Sequence, residues 1–360
     1  MNIGFMLEYS LGHTTHAENL KRVVDMDATV VPTYVDLPFN NTPGFWSKLP
    51  VVKSIWSIRA SLGAYMALRP IARKLDACLF HTQVTSLFSA GLMRKLPSVI
   101  SLDATPMQYD ELGKYYGHVP SGNSQLEQLK QRLNIRAFKA ARKIVTWSEW
   151  TKQSLVDNYS VAPEKITVIP PGIDTEKWKL PEPVQDPSRP IHLLFVGGDF
   201  ERKGGMLLLE AFANVVKSTN VHLHIVTKTE GVGDGMPGVS VYRNVGPNSD
   251  KLLELFTLAD IFVFPTLADC LPLAVLEALA SGRPIITTDV GALPEAVTHG
   301  ETGLVVPVHN PAALADAIRT LAINSELRVK MGRRARAVAL QNFDARTNYQ
   351  RLVDVVKSVA

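Results

Sequence analysis

Short runs of β-branched and aromatic residues recur along the chain with amphipathic segments between them. This alternation restricts the fold more than any other feature. NIGFMLEY (2–9), ATVVPTYV (28–35), ACLFHT (77–82), PSVISLD (97–103), the run Ala141 to Ser148 and KITVIPPGID (165–174) read as one series of strands. IHLLFVGG (191–198), VHLHIVT (221–227), VSVYRNV (239–245), IFVFPT (261–266), RPIITTD (283–289) and GLVVP (303–307) form a second. Short apolar strands that alternate with helices belong to parallel βαβ sheets covered on both faces. Between the two series, TEKWKLPEPVQDPSRP (175–190) carries four prolines and no periodicity, and reads as a linker. A helical stretch over 311–341 breaks near Asn342-Phe343-Asp344, and an amphipathic helix, 345–360, ends the chain. A length of 360 residues exceeds one ordinary core and suits two doubly wound α/β domains. With 46% hydrophobic and 20% charged residues, each half can bury a full core, which excludes disorder as the overall state.

Composition removes several function classes. Cys78 and Cys270 are the only cysteines, so a disulfide framework and a cysteine-based zinc site are excluded, and a reducing cytosol is expected. The opening MNIGFMLEY lacks a basic n-region, and the most apolar region, 49–72, is broken by Lys53, Arg59 and Arg69. Neither a signal peptide nor a membrane span is expected. A net charge of +4 does not imply nucleic acid. The charge is uneven, however: Lys48, Lys53, Arg59, Arg69, Arg73, Lys74, Arg94 and Lys95 stand against Asp76 alone within 45–100. Phe45, Trp46, Ile55, Trp56, Ile58 and Tyr65 are interleaved with them. Over 45–75 this reads either as a solvated helical face or as a surface that docks on anionic lipid or an acidic acceptor.

In open parallel sheets, ligands bind at the carboxyl ends of strands, where helix N-termini present N–H groups to anions. FVGGDFERKGG (195–205) places two glycines and the pair Arg202-Lys203 at such an end. Glycines let a backbone approach a phosphate, and two cations can hold a diphosphate. The same pair also reads as a surface pair at a helix start. In FPTLADCLPLAVLEALASGRPII (264–286), Asp269 precedes a helix that carries Glu277. Asp269 reads as a residue near a ligand at the helix N-terminus or as an N-cap. Glu277 reads as an acceptor for ribose hydroxyls or as a solvated helical residue.

These two motifs in this order resemble the retaining nucleotide-sugar glycosyltransferases of the GT-B fold, in the glycogen-synthase-like group 1 (glycosyltransferase family 4). The resemblance extends through WSEWTKQSLVDNYSVAPEKITVIPPGIDTEKW (147–178), DVGALPEAVTHGETGLVVP (289–307) and the LRVKMGRRAR…NFD ending. It covers 145–345 in motifs, and the first 140 residues in layout. It implies two Rossmann-like domains facing each other across a cleft. The first, 1–174, binds the acceptor and receives the helix 345–360; the second, 191–344, binds the donor, with 175–190 between them. It implies that Arg202 and Lys203 neutralise the leaving nucleotide diphosphate. Asp269, where the family usually has Glu, lies near the reacting sugar, and Glu277 holds the ribose. N–H groups around Leu273 and Ala274 face the phosphates, and Gly12, in Ser10-Leu11-Gly12-His13, brings backbone N–H groups near the donor phosphate. Asp103 stands where many relatives place a sugar-contacting His. Where relatives often have two glycines, this chain has Gly291-Ala292.

The activity implied is metal-independent hexosyl transfer from a nucleotide diphosphate sugar to an acceptor hydroxyl, with retention and without a cofactor. The acceptor is lipid-linked or a polysaccharide, and the setting is cytoplasmic, with membrane association on the cytoplasmic face through 45–75. A nucleotide-sugar 2-epimerase and a non-catalytic nucleotide-sugar binder share the architecture and stand as alternatives. Neither a metal nor nucleic acid is expected. His13 and His16 read as loop or acceptor-side residues. Asp25-Met26-Asp27 reads as a turn rather than a manganese signature, and Gly231 to Gly235 as a loop near the nucleotide base, since Pro237 follows and no helix opens there.

Overall fold

Period-two alternation along the first strand explains a sheet buried on both sides. In Asn2–Tyr9 (β1), Ile3, Phe5 and Leu7 point to one face and Met6 to the other, all fully buried. The computed structural model describes residues 1–10, 12–38, 56–117, 124–184, 186 and 188–360. Val31–Pro38 (β2), Ala77–His81 (β3), Ser98–Leu102 (β4), Lys143–Thr146 (β5) and Ile166–Val168 (β6) join β1 in the order β2-β1-β3-β4-β5-β6, with parallel pairings. Helices His13–Val24 and Ala345–Lys357 cover the Phe5 face through Leu20, Val24, Leu352 and Val356. Helices Trp56–Leu68, Ser124–Ala140 and Glu149–Tyr159 cover the Met6 face through Leu68, Phe138 and Leu155.

A second parallel sheet comprises Ile191–Val196 (β7), Val221–Val226 (β8), Val239–Tyr242 (β9), Ile261–Phe264 (β10), Ile285–Thr288 (β11) and Gly303–Val306 (β12), ordered β12-β11-β10-β7-β8-β9. Its core is aromatic: Phe195, Phe256, Phe262 and Phe264 are fully buried, with Phe262 and Phe264 stacked at 6.0 Å. Both sheets are the Rossmann-like α/β architecture expected from the alternation. By contact, the chain divides into Met1–Gly172 with Ala345–Ala360, and Ile173–Asp344.

Two expected boundaries shift for local reasons, and a third stretch is held by long-range contacts. The second strand begins at Val31 rather than at 28, because the Thr29 N–H and hydroxyl both donate to Asp27 and close a turn there. As an edge strand, β2 tolerates Pro32 and Pro38, which lack an N–H to donate. The helical stretch 311–341 divides into Pro311–Ile323 and Ser325–Asn342, because the Asn324 side chain caps the second helix by accepting from Leu327 N–H. Described residues of the stretch 175–190 pack within the second unit. Trp178 is fully buried edge-on against Phe256 at 5.0 Å, and Arg189 forms an ion pair with Asp260 at 2.6 Å.

Buried imidazoles make both units acid-sensitive. Burial and the nearby His13 push His16 down to about 3 from its ordinary 6.5. Burial, His222 and His192 push His224 down to about 4. Below 6.5 the unfolded chain takes up protons that these native side chains refuse, so stability falls as pH drops toward those values. The urea midpoint is therefore expected to decline steadily between about pH 6.5 and 4, and His224→Gln is expected to flatten that slope. A pH-independent midpoint in the unaltered chain contradicts the assignment.

Candidate active site

The loops that follow β7, β10 and β11 meet at the carboxyl ends of the second sheet. Gly204 holds a left-handed φ of 76° before helix Gly205–Val215, and a Cβ there would lie 1.8 Å from the Pro265 carbonyl oxygen. Only glycine lets the two loops close this tightly. Leu267 N–H then donates to Arg202 O at 2.9 Å. Gly291, at φ 58°, repeats the device: a Cβ would lie 2.2 Å from the Asp269 carbonyl. Ala292 N–H donates to Cys270 O at 2.9 Å, so alanine serves at the second position of that pair.

This framework brings Arg202, Lys203 and Asp269 together. Arg202 is 6% exposed; its Nη1 donates to Ala268 O at 2.7 Å and to Asp269 Oδ2 at 3.3 Å, and its Nε to Asp199 Oδ2 at 3.0 Å. Lys203 Nζ donates to the same Asp269 Oδ2 at 2.6 Å and lies 5.0 Å from the Phe264 ring centroid. Among the alternatives left by the sequence, the surface-pair reading fails, because Arg202 is buried. The N-cap reading of Asp269 fails too: Pro272 caps helix Leu273–Ala280, and no side chain bonds its N-terminus. Leu273 and Ala274 open that helix, at positions whose N–H groups have no intrahelical carbonyl.

Glu277 is not solvated. It is 5% exposed on that helix, and no hydrogen bond to its carboxyl occurs among the described residues. Burial pushes its pKa up to about 8, with the charge of Lys177 opposing. A buried carboxyl with unused acceptor capacity is what polyol hydroxyls satisfy.

A second polar cluster lies at the carboxyl ends of β1, β3, β4 and β5. Gly12 precedes helix His13–Val24 with an ordinary φ of −66°, and nothing lies within 4 Å of where a Cβ would stand, so no intramolecular contact requires glycine there. Leu11 lies outside the described residues. His13 Nδ1 is 3.0 Å from His81 Nε2, and His13 Nε2 is 3.6 Å from Asp103 Oδ2. Burial pushes the Asp103 pKa up, against the pull of His13 and with added push from Glu8. His16 stacks on His81 at 4.3 Å, and the Trp147 ring lies 12° from parallel with His81. Tyr349 donates its hydroxyl proton to Gly172 O at 3.2 Å, so the contact at 3.1 Å makes His16 Nδ1 the donor to that hydroxyl. Thr82 and Ser10 hydroxyls both donate to the buried Glu8 carboxylate.

His81, Trp147 and Glu8 escaped the sequence reading. Each lies at or just beyond the carboxyl end of a parallel strand, and that position was the available signal. Asp27 accepts from Lys357 at 2.6 Å and from Thr29, and Asp25 from Tyr34 at 2.7 Å, so both carboxylates of the D-x-D sequence hold structure. Of the basic aromatic stretch 45–75, Phe45, Trp46, Lys48, Lys53 and Ile55 lie outside the described residues. Its described part contains helix Trp56–Leu68, buried through Ala60, Ala64 and Leu68, and the short helical turn Ala72–Lys74. No described helix is long and apolar enough to cross a membrane.

Two doubly wound units, each with a polar cluster at the carboxyl ends of its strands, have the arrangement in which open α/β sheets bind ligands. The family described as "Glycosyltransferase Family 4" matches residues 17–177, and that described as "Glycosyl transferases group 1" matches 190–324. D-inositol 3-phosphate glycosyltransferase of Corynebacterium glutamicum is 31% identical over 204 residues, 50% of this chain and 49% of that protein. This chain thus spans about half the length of the curated relatives it matches. Among solved structures, sucrose-phosphate synthase from Thermosynechococcus elongatus superposes with a TM-score of 0.77 at 16% identity, covering 99% of this chain and 98% of that one. Anabaena HepE in complex with UDP gives 0.73 at 16%, covering 99% and 100%. The chain belongs to the group 1 glycosyltransferases of family 4, and its fold is GT-B.

Proposed function

We propose that the chain moves a hexosyl group from a nucleotide diphosphate sugar to an acceptor hydroxyl, with retention at the anomeric carbon and without a metal ion. The observation that carries this reading is the convergence of Arg202 and Lys203 on Asp269 at the carboxyl ends of β7 and β10. As the anomeric C–O bond breaks, its electron pair goes to the diphosphate. Two fixed cations and the first-turn N–H groups of Leu273 and Ala274 stabilise the charge that develops there. Asp269 holds both cations through Oδ2, which leaves Oδ1 to accept from hydroxyls of the donor sugar. Glu277 accepts from the ribose. Gly12 brings backbone N–H groups to the donor phosphate, and Asp103 binds a sugar hydroxyl.

The acceptor, lipid-linked or a polysaccharide, is bound by the first unit. The setting is cytoplasmic, with contact to the membrane face through 45–75. Relatedness to D-inositol 3-phosphate glycosyltransferase supports glycosyl transfer, and the UDP complex of HepE supports a nucleoside diphosphate donor.

A thermal-shift panel of uridine, guanosine and adenosine diphosphates and their sugars tests the reading. The matching ligand at 100 times its Kd adds about 2.7 kcal/mol of stability. Release of nucleoside diphosphate should then require an acceptor alcohol. A panel in which no nucleotide shifts the melting temperature contradicts the proposal. Isomerisation of the sugar with donor alone transfers it to the epimerase reading.

A further inference from the structure

A cluster of uncompensated positive charge lies on the first unit, away from that unit's polar cluster. A groove of about 860 Å³ runs along the first unit between Met93 and Lys165. Arg94, Arg132, Arg136, Lys139 and Arg142 line it, all exposed, and none of their side chains forms an ion pair or hydrogen bond among the described residues. Glu164 is the only acidic residue in the lining.

The groove is built rather than incidental. Arg132, Arg136 and Lys139 fall at i, i+4 and i+7 on helix Ser124–Ala140 and share one face. Neighbouring like charges at this spacing destabilise a helix, so the stripe works against folding unless something neutralises it. Lys165 and Lys143 shape the floor: Lys165 Nζ donates to Phe138 O at 2.7 Å and Lys143 Nζ to Glu164 O at 2.8 Å. Burial, followed by the charge of Arg142, pushes the Lys165 pKa down, so the site already crowds positive charge. Position separates this groove from the polar cluster of its own unit. Arg142 N–H donates to the carbonyl of Ser98, the first residue of β4, while Lys143 opens β5 and Lys165 precedes β6. The groove thus lies at the amino ends of the strands whose carboxyl ends carry Asp103 and Trp147.

We propose that this groove is a second binding site, for a multivalent anion bearing closely spaced phosphates. Several cations along one concave surface suit a ligand with several phosphates better than a single one, and the attraction is sensitive to salt. The ligand is either free in solution or the headgroup layer of an anionic membrane, and two probes separate these sources.

The full chain is titrated with inorganic tripolyphosphate, the donor site being saturated by the nucleoside diphosphate that gives the largest thermal shift. In parallel it is sedimented with phosphatidylcholine vesicles with and without phosphatidylglycerol. Tripolyphosphate binding that weakens with added salt identifies a soluble ligand. Sedimentation only with phosphatidylglycerol identifies headgroups. In either case Arg132→Glu/Arg136→Glu/Lys139→Glu lowers affinity at least tenfold. Arg94→Gln/Arg142→Gln serves as the second variant should the first fail to fold. Absence of binding to both probes at low salt, or equal binding by unaltered chain and folded variant, overturns the proposal. Because the variants read the groove alone, this result stands apart from the outcome for the donor site.

Discussion

Lys203→Ala is expected to lower the rate of sugar transfer by roughly 10²–10³, the loss typical when one preorganised charge-stabilising group is removed. The ammonium is held within 2.6 Å of Asp269 and against the Phe264 ring, so it is oriented before the donor arrives. Its removal leaves Asp269 held by Arg202 alone at 3.3 Å, and the buried carboxylate keeps a partner. The fold should therefore survive, and the loss should fall on kcat rather than on expression or melting temperature. Lys203→Arg tests for charge alone. A guanidinium places its charge differently, so partial recovery is expected. Near-normal turnover by Lys203→Ala contradicts the assignment of this residue to the leaving group.

Glu277→Gln is expected to stabilise the protein while weakening donor binding. With a native pKa of about 8 against an ordinary 4.5, the folded state keeps a proton that the unfolded state loses over that interval. Native protein then binds more protons than unfolded, and stability falls as pH rises between those values. At about 1.4 kcal/mol per unit, the penalty near pH 7 is of order 3 kcal/mol. Glutamine removes it with little change in volume, so the melting temperature should rise at pH 7 and its decline from pH 5 to 8 should flatten. The same change replaces one of the two carboxyl oxygens able to accept from the proposed ribose hydroxyls by an NH2 group, which only donates. A hydrogen bond between neutral groups contributes about 0.5–1.5 kcal/mol, so donor affinity should fall about 2–10-fold. A variant unchanged in both stability and donor affinity contradicts the burial and the role together.

The fold was largely legible because its signal is local. Each of the 12 described strands is a short apolar run between amphipathic segments, and an alternation repeated in two series admits few architectures. The misplaced boundaries depended on side-chain hydrogen bonds. Asp27 closing a turn onto Thr29, and Asn324 capping a helix, involve residues that also occur in ordinary loops. Trp178 looked like a linker residue because its partner Phe256 lies on a distant helix, and contacts at long sequence separation leave no local pattern.

The candidate site was legible in part for the same reason. Arg202, Lys203, Asp269 and Glu277 lie in motifs whose spacing is compact, whereas the burial of Glu277 depends on the fold as a whole. The stack of His16, His81 and Trp147 joins a residue of helix His13–Val24 to residues at two strand ends. His81 closes ACLFH and Trp147 follows KIVT, both of which read as core, so neither aromatic ring carried a local mark of function. The basic groove was hidden differently. Arg94 belongs to the basic stretch noticed in the sequence, but Arg132, Arg136, Lys139 and Arg142 are charged residues at ordinary helical spacing until the sheet gathers them.

The claim on which the functional reading depends is that the Arg202–Lys203 corner grips a diphosphate. Its most direct test is the affinity ratio between nucleoside diphosphate and monophosphate of the matching base, measured calorimetrically for the unaltered chain and for Lys203→Ala. The account predicts a strong preference for the diphosphate in the unaltered chain that is markedly reduced in the variant, where Arg202 and the first-turn N–H groups remain, with monophosphate affinity little changed. An identical preference in both proteins contradicts it.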